Sequence, residues 1–246
     1  MSGHSKWSTI KHKKGAADAK RGAEFSKLAR LVEVAAKSGA DPEMNFRLKL
    51  AVQKAKAANM PGSNIDKAIR KGSGADKEAS QLEEVIYEGL GPGNVGVIVQ
   101  ALTGNKNRTV AELRHIFTRY GGNFGTPVAW QFAHKGILEV AKASDAEAQE
   151  LSIIDAGALD LEDAGDSFEV YTDSKELDTT KSKLEAAGMS VKSASLGLVP
   201  KNKTEVKDPA VAKKALALLD ALEEHDDVSS TSSTLDVPDE LLNQLE

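Results

Sequence analysis

Between Gly3 and Gly22 the chain carries Lys6, Lys11, Lys13, Lys14, Lys20 and Arg21 against one acid, Asp18. No acid precedes Asp18, so the first four lysines have no carboxylate near them in sequence and keep their charge for an outside partner. Phosphate is the natural one, because each contact releases a condensed counterion. Trp7 stands among these lysines with little apolar company, which suits stacking on an unpaired base better than filling a core. Glycines at 3, 15 and 22 keep the segment adaptable, so it can order on a nucleic acid surface. The competing explanation is a solvated charged face, which many charge runs are.

Two further groups of cations extend the pattern. On a helical wheel Lys20, Lys27, Arg30 and Lys37 fall along one flank of an apolar stripe, so their charge is displayed as a strip. In the turn GNKNRT, Lys106 and Arg108 stand at a helix N-terminus, where free backbone N–H groups and the helix dipole already favour an anion; an ordinary polar loop is the alternative.

Other chemistries lack their residues. GPGNVG, Gly91 to Gly96, has the glycine spacing of a dinucleotide site but precedes a strand instead of joining strand to helix, so it is expected to be a turn. DLEDAGDSFE, Asp160 to Glu169, clusters carboxylates without the spacing of a calcium loop and is expected to be a solvated acidic turn. The five histidines are scattered and there is no cysteine. No nucleophile motif occurs, and neither an enzyme, a metal, a cofactor nor a small-molecule substrate is expected.

The charge is segregated along the chain. The first 74 residues hold 16 Lys and Arg against 6 Asp and Glu, while the whole chain of 246 residues has a net charge of −5. The head is thus +10 and the remainder −15: a basic head meets a polyanion and an acidic body does not. No apolar run is long enough to span a bilayer and the start has no secretory apolar core, so a soluble cytoplasmic protein without a membrane partner is expected.

The elements that must position these residues follow from periodicity. Phe25, Leu28, Leu31, Val32 and Ala35 predict a helix from about Ala16 to Lys37, ended by Gly39. Asp41-Pro42 predicts the start of a second helix running to about Asn59, and Ser63 or Asn64 the cap of a third that ends at Gly72. GSGADKEAS reads as a linker, after which the period changes. Val95 to Leu102 predicts a buried strand, Thr109 to Glu112 a capping box opening a helix, and VAWQFAHKGILEV one or two strands. Ser144 with Glu147 predicts a helix to Asp155, followed by strand SFEVYT, a helix from Lys175 to Ala187 and strand SVKSASLGLV. Asp208-Pro209 opens a last helix, and VSSTSSTLDV predicts a polar edge strand.

Four long stretches carry a family likeness over essentially the whole length: GHSKWSTIKHKKGAADAKRG, DPEMNFRLKLAVQKAKAANMP, YEGLGPGNVGVIVQALTGNKNRTVAELRHIF and GGNFG. The chain resembles the YebC family of probable transcriptional regulators, related to a mitochondrial translational activator of cytochrome c oxidase. That resemblance implies an α+β protein with a basic three-helix domain and two α/β sandwich-like domains, one inserted in the other. The expected bounds are residues 1–77, then 78–134 with 205–246, and 135–204 as the insert. It also implies a non-enzymatic protein linked either to DNA or to translation on the ribosome. The family's N-terminal signature falls on His4, Lys6, Trp7, Lys11, His12 and Lys13, and its strand-to-helix turn on Asn105 to Thr109. GGNFGTPVAW is two residues shorter than the family's turn and carries Pro127, and the last strand lacks aromatic residues. The function expected is a nucleic-acid-binding regulator of gene expression, with DNA and ribosomal RNA, or the ribosome itself, as partners. A protein-interaction adaptor whose basic head docks on an acidic partner is the alternative.

Overall fold

The computed structural model describes residues 17–75, 81–238 and 240–242, with side chains from Gly22 onward. Three helices come first: α1 (Ala17–Ala36), α2 (Phe46–Ala57) and α3 (Gly62–Gly72). Leu28, Val32, Ala35 and Ala36 of α1 close on Leu48, Ala51 and Ala55 of α2 and on Ile65 and Ala68 of α3, the apolar stripes the spacing predicts. The approach of α3 to α1 is set by Gly72. A Cβ there would lie 2.0 Å from the Glu33 carbonyl oxygen, so only a glycine lets the backbones come this close.

The second helix begins later than Asp41-Pro42 predicts. Asp41 instead closes a turn, its side chain accepting from Glu43 N–H at 2.9 Å, and Asn45 caps α2 by accepting from Leu48 N–H at 3.1 Å. Asparagine wins because its amide also donates. Its Nδ2 reaches the carbonyls of Ala35 and Gly39, both at 2.8 Å, and so fastens the end of α1 to the start of α2. The third helix starts at Gly62 with no side-chain cap, so neither Ser63 nor Asn64 serves as one.

The rest of the chain builds two antiparallel sheets. The first has strand order β3-β1-β2-β9, from β1 (Glu83–Gly91), β2 (Val95–Thr103), β3 (Asn123–Phe124) and β9 (Val228–Ser233). The second has order β5-β6-β4-β7, from β4 (Phe132–Ala141), β5 (Asp160–Asp163), β6 (Ser167–Asp173) and β7 (Val191–Pro200). The whole second sheet lies in sequence between β3 and β9 of the first. The architecture is α+β, a helical region followed by sheet-containing units, in agreement with the sequence.

Each sheet has its own core. Helix α4 (Lys106–Arg119) brings Leu113 and Phe117, and α7 (Pro209–Glu224) brings Leu216, Leu218, Leu219 and Leu222, against Val95, Val97 and Val99 of β2. Helices α5 (Ala146–Asp155) and α6 (Leu177–Ala186) bring Ile153, Leu177 and Leu184 against Leu138, Val140, Phe168 and Val170. Phe46 and Leu50 of α2 pack on this second core, so the helical unit leans on the inserted sheet. Parallel pairing of β8 (Thr204–Glu205) with β10 (Leu235–Asp236) ties the return of the chain to its end.

Local signals are corrected in three further places. Asn105, not the Thr109 to Glu112 box, caps α4, and Thr109 is buried one turn inside. Asp145, not Ser144, caps α5 by accepting from Ala148 N–H. DLEDAGDSFE is not a turn alone: it supplies β5 and the start of β6, paired Asp160↔Tyr171 to Asp163↔Phe168 around Gly165 at φ +89°. Asp160, Glu162 and Asp163 lie on the edge strand β5, a position that charge suits, while Glu169 lies on the interior strand β6. GPGNVG forms the turn between antiparallel β1 and β2, and side chains of Val206, Val211 and Leu218 close over Gly91 and Gly93. Asp208 caps α7 as expected, accepting from Ala210 and Val211 N–H. Among the described residues, no helix is long and apolar enough to cross a membrane.

Gly72→Ala should destabilise the protein by about 1 to 3 kcal/mol, because the added methyl has no room. Gly22→Ala, with nothing within 4 Å of its Cβ position, should be neutral or stabilise by about 0.5 to 1 kcal/mol through helix propensity. Urea midpoints of the two variants check the pair; equal midpoints would show that the α1–α3 approach is not tight.

Candidate nucleic-acid interface

Lys6, Trp7, Lys11, His12, Lys13 and Lys14 lie outside the described residues. Lys20 and Arg21 lie on α1, with side chains outside the described set. The structure therefore places side chains for four of the expected site residues: Lys27, Arg30, Lys106 and Arg108.

Three of these four converge on one turn, Glu223 to Asp227, between α7 and β9. Asp227 is 3% exposed. Its Oδ1 lies 3.0 Å from Arg30 Nη1, and its Oδ2 accepts from Arg108 Nη2 at 2.7 Å and from Thr109 Oγ1 at 2.8 Å. Arg30 also donates to the Asp226 carbonyl at 2.6 Å, and Lys27 Nζ donates to the Glu223 carbonyl. Burial alone would push the Asp227 carboxyl up. The hydrogen bonds from Arg108 and Thr109 and the two guanidinium charges overcome it and hold the carboxyl below its ordinary range. The Arg108 guanidinium is held more firmly protonated by the same contact. Lys27 is pushed the other way, since desolvation outweighs the pull of Asp226 and Glu223.

Lys106 forms a separate pair with Glu83 at 2.5 Å, on the surface where such pairs contribute little. Sequence spacing brings Lys106 and Arg108 to the start of α4, as expected. Tertiary structure then commits Arg30 and Lys27 to joining the helical unit to the acidic body and Arg108 to closing the same carboxylate from within the body, which no local pattern could reveal.

Glu112, His225 and Asp227 also bring one ligand atom each within 4.8 Å of one another. Their bonds are already made. His225 Nδ1 accepts the Asp227 N–H at 3.1 Å, which leaves the proton on Nε2, 2.9 Å from Glu112 Oε2. With two guanidinium groups on Asp227, the donor set fits an internal ion-pair network better than a cation.

The cations left available are elsewhere. Lys54 and Lys56 on α2 and Lys67 and Arg70 on α3 are exposed, and none has an ion pair among the described residues. The opposite faces of both helices are buried through Leu48, Ala51, Ala55, Ile65 and Ala68, so these four charges point to water. They are as visible in the sequence as the strip on α1; only the tertiary contacts of Lys27 and Arg30 separate the two sets.

Residues 5–75 match the TACO1/YebC protein N-terminal domain, and residues 82–235 match the TACO1/YebC second and third domain. A probable transcriptional regulatory protein of Desulfotalea psychrophila is 46% identical over 249 residues, covering 100% of this chain and 99% of that protein. One from Rubrobacter xylanophilus is 47% identical with the same coverage. The crystal structure of a conserved hypothetical protein from Aquifex aeolicus superposes with a TM-score of 0.85 at 43% identity, over 94% of this chain and 96% of that one.

Asp227→Asn should lower stability by about 1 to 3 kcal/mol near neutral pH, less than for a fully buried pair because both arginines keep contact with water. The sign with pH follows from a carboxyl held low in the folded state: its contribution is fully present above the ordinary value of 3.8 and is lost as pH falls below it. Denaturation midpoints of the native protein and of the Asp227→Asn variant should therefore differ at about pH 6 and converge toward about pH 3. A constant difference would show that Asp227 is not ionised in the pair.

Proposed function

We propose that this chain, which belongs to the TACO1/YebC family, is a regulator of gene expression that acts by binding nucleic acid through its basic arm and helices. The segregation of charge carries this proposal: ten excess positive charges in the first 74 residues, on a chain whose remainder is acidic. Lys54, Lys56, Lys67 and Arg70 support it, as a group of free cations on the exposed sides of α2 and α3. The regulatory names of the relatives fit the same role.

In this proposal Lys11, Lys13, Lys14 and their neighbours in the arm contact phosphate, and Trp7 stacks on a base. The four helical cations extend the phosphate track, whereas Lys27 and Arg30 hold the head on the body and Arg108 is engaged by Asp227 within the body. Residues 1–77 form the binding domain, and residues 78–134 with 205–246, interrupted by 135–204, form the body. A set of lysines without bidentate partners for base edges predicts weak sequence preference. DNA and ribosomal RNA both satisfy this chemistry. Sedimentation of tagged protein in gentle lysate, with and without nuclease, separates a ribosomal from a nucleoid partner.

In full-length protein, replacing Lys54, Lys56, Lys67 and Arg70 with alanine should weaken binding to duplex DNA or to a ribosomal RNA fragment. The plot of log affinity against log salt should flatten by about 0.9 for each duplex phosphate that the variant no longer neutralises. The Lys11, Lys13 and Lys14 triple variant should do likewise. Unchanged affinity and slope in both variants would refute the proposal and favour a head that docks on protein.

A further inference from the structure

The acidic body is not acidic everywhere. No Asp or Glu occurs between Glu112 and Glu139, nor between Glu185 and Glu205. These two acid-free stretches meet, because β4 pairs with β7 from Phe132↔Pro200 through His134↔Leu198. At their meeting point, in the 3-10 turn Ala129–Gln131 that leads into β4, Trp130 is 71% exposed.

That exposure is not looseness of the turn. Val128 and Phe132, on either side, are buried with Ile98 between the sheets. The Glu88 carboxylate accepts from the N–H groups of Val128 at 2.6 Å and Ala129 at 2.8 Å. Lys201 pins the other side: its N–H donates to the Gln131 carbonyl at 2.8 Å and its Nζ to the Trp130 carbonyl at 2.9 Å. The backbone is fastened at four points while the indole faces water. Tryptophan is highly buried on average, so an exposed ring on a fastened turn forgoes hydrophobic free energy that packing would recover.

A fixed aromatic face beside an ammonium group supplies what one nucleotide of a single strand needs. The ring offers a stacking surface that tolerates any base, and the lysine offers a charge for the adjoining phosphate. Lys201 has no carboxylate partner among the described residues, the two stretches themselves hold no acid to repel the strand, and the Glu88 carboxylate is engaged by two N–H groups of the turn. A duplex does not fit this arrangement, since its bases are already stacked on their neighbours.

We propose that Trp130 and Lys201 form a second nucleic-acid contact, on the body, where the indole stacks on an unpaired base of single-stranded RNA or DNA and Lys201 meets its phosphate. It rests on the nucleic-acid binding proposed for the head, and adds to it a contact with an unpaired base on the body. Strand binding then spans head and body, the arm supplying most of the charge.

The test uses full-length Trp7→Phe protein, in which Trp130 is the single indole. Unlabelled oligouridylate should quench the indole emission in step with binding, followed separately by anisotropy of the labelled oligomer. Adding Trp130→Ala should raise the dissociation constant about five- to a hundredfold with the salt slope unchanged, and Lys201→Ala should flatten that slope by about one phosphate's worth. Trp130 is largely in water, so its removal leaves the core intact, and a native melting temperature confirms folding. Emission that stays constant while anisotropy reports saturation overturns the proposal and leaves binding by the head standing. Binding of duplex but not of the single strand overturns it in the same way. Binding of neither, by this variant and by the native protein alike, overturns both.

Discussion

The contact on which the arrangement of this protein depends is the one made by Asp227. A carboxylate this deeply buried is tolerable only if its charge is matched, and two elements distant in sequence supply the match: Arg30 from α1, Arg108 and Thr109 from α4. Helical unit, first sheet and the return of the chain from α7 into β9 are thereby joined at one point. Lys27 to the Glu223 carbonyl, Lys37 to the Leu82 carbonyl at 2.6 Å and Arg47 to Glu84 at 2.6 Å add contacts between the same partners. The seam between basic head and acidic body is electrostatic, and it draws on the charge asymmetry that marks the whole chain.

Apolar packing fixes what the charges join. Phe46 and Leu50 send one side of α2 into the core of the inserted sheet, while Leu48, Ala51 and Ala55 face α1 and α3. Because α2 packs on the core of the inserted sheet while α1 bonds to the turn before β9, the helical unit touches both sheet-containing units, and the cluster of Ile98, Val128 and Phe132 fills the space between the sheets themselves. Close approach of backbones occurs at a few glycines, Gly72 against α1 and Gly136 against α6 among them. The same logic explains GPGNVG, whose glycines admit valine and leucine side chains rather than a phosphate.

Division of the cations into two sets bears on function. Lys27 and Arg30 on α1 and Lys37 just beyond it bond to the body and hold the helical unit in place, and Lys106 and Arg108 at the start of α4 satisfy the body's own acids. Arg47 and Lys71 pair with Glu84 and Glu33, whereas Lys54, Lys56, Lys67 and Arg70 have no ion pair among the described residues, and a free ammonium or guanidinium group is suited to phosphate. The exposed indole of Trp130, carried on a fastened turn of the body, adds in our proposal a second base-stacking contact to that of Trp7, away from the phosphate contacts of the helices.

By itself the sequence determined the class of the fold, the three basic helices, the buried strand Val95 to Leu102, and the cap at Asp208. Each follows from periodicity or from a side chain acting within one turn of its own backbone. The head's charge excess was equally legible, since it is a property of composition. Tertiary structure decided the rest. Asn45 displaced Asp41-Pro42 as the cap of α2 because it could also reach Ala35 and Gly39, and Asn105 left Thr109 free to bind Asp227 from inside α4. Strand β6 was legible as SFEVYT, but its partner β5 was hidden because Asp160, Glu162 and Asp163 lie on an edge strand, where burial imposes no alternation. Arg30 and Arg108 looked like Lys54 and Arg70 in sequence; a carboxylate 119 residues beyond Arg108 and 197 beyond Arg30 made them structural. Which charges stay available depends on which acids the fold brings to them, and that information is long-range by nature.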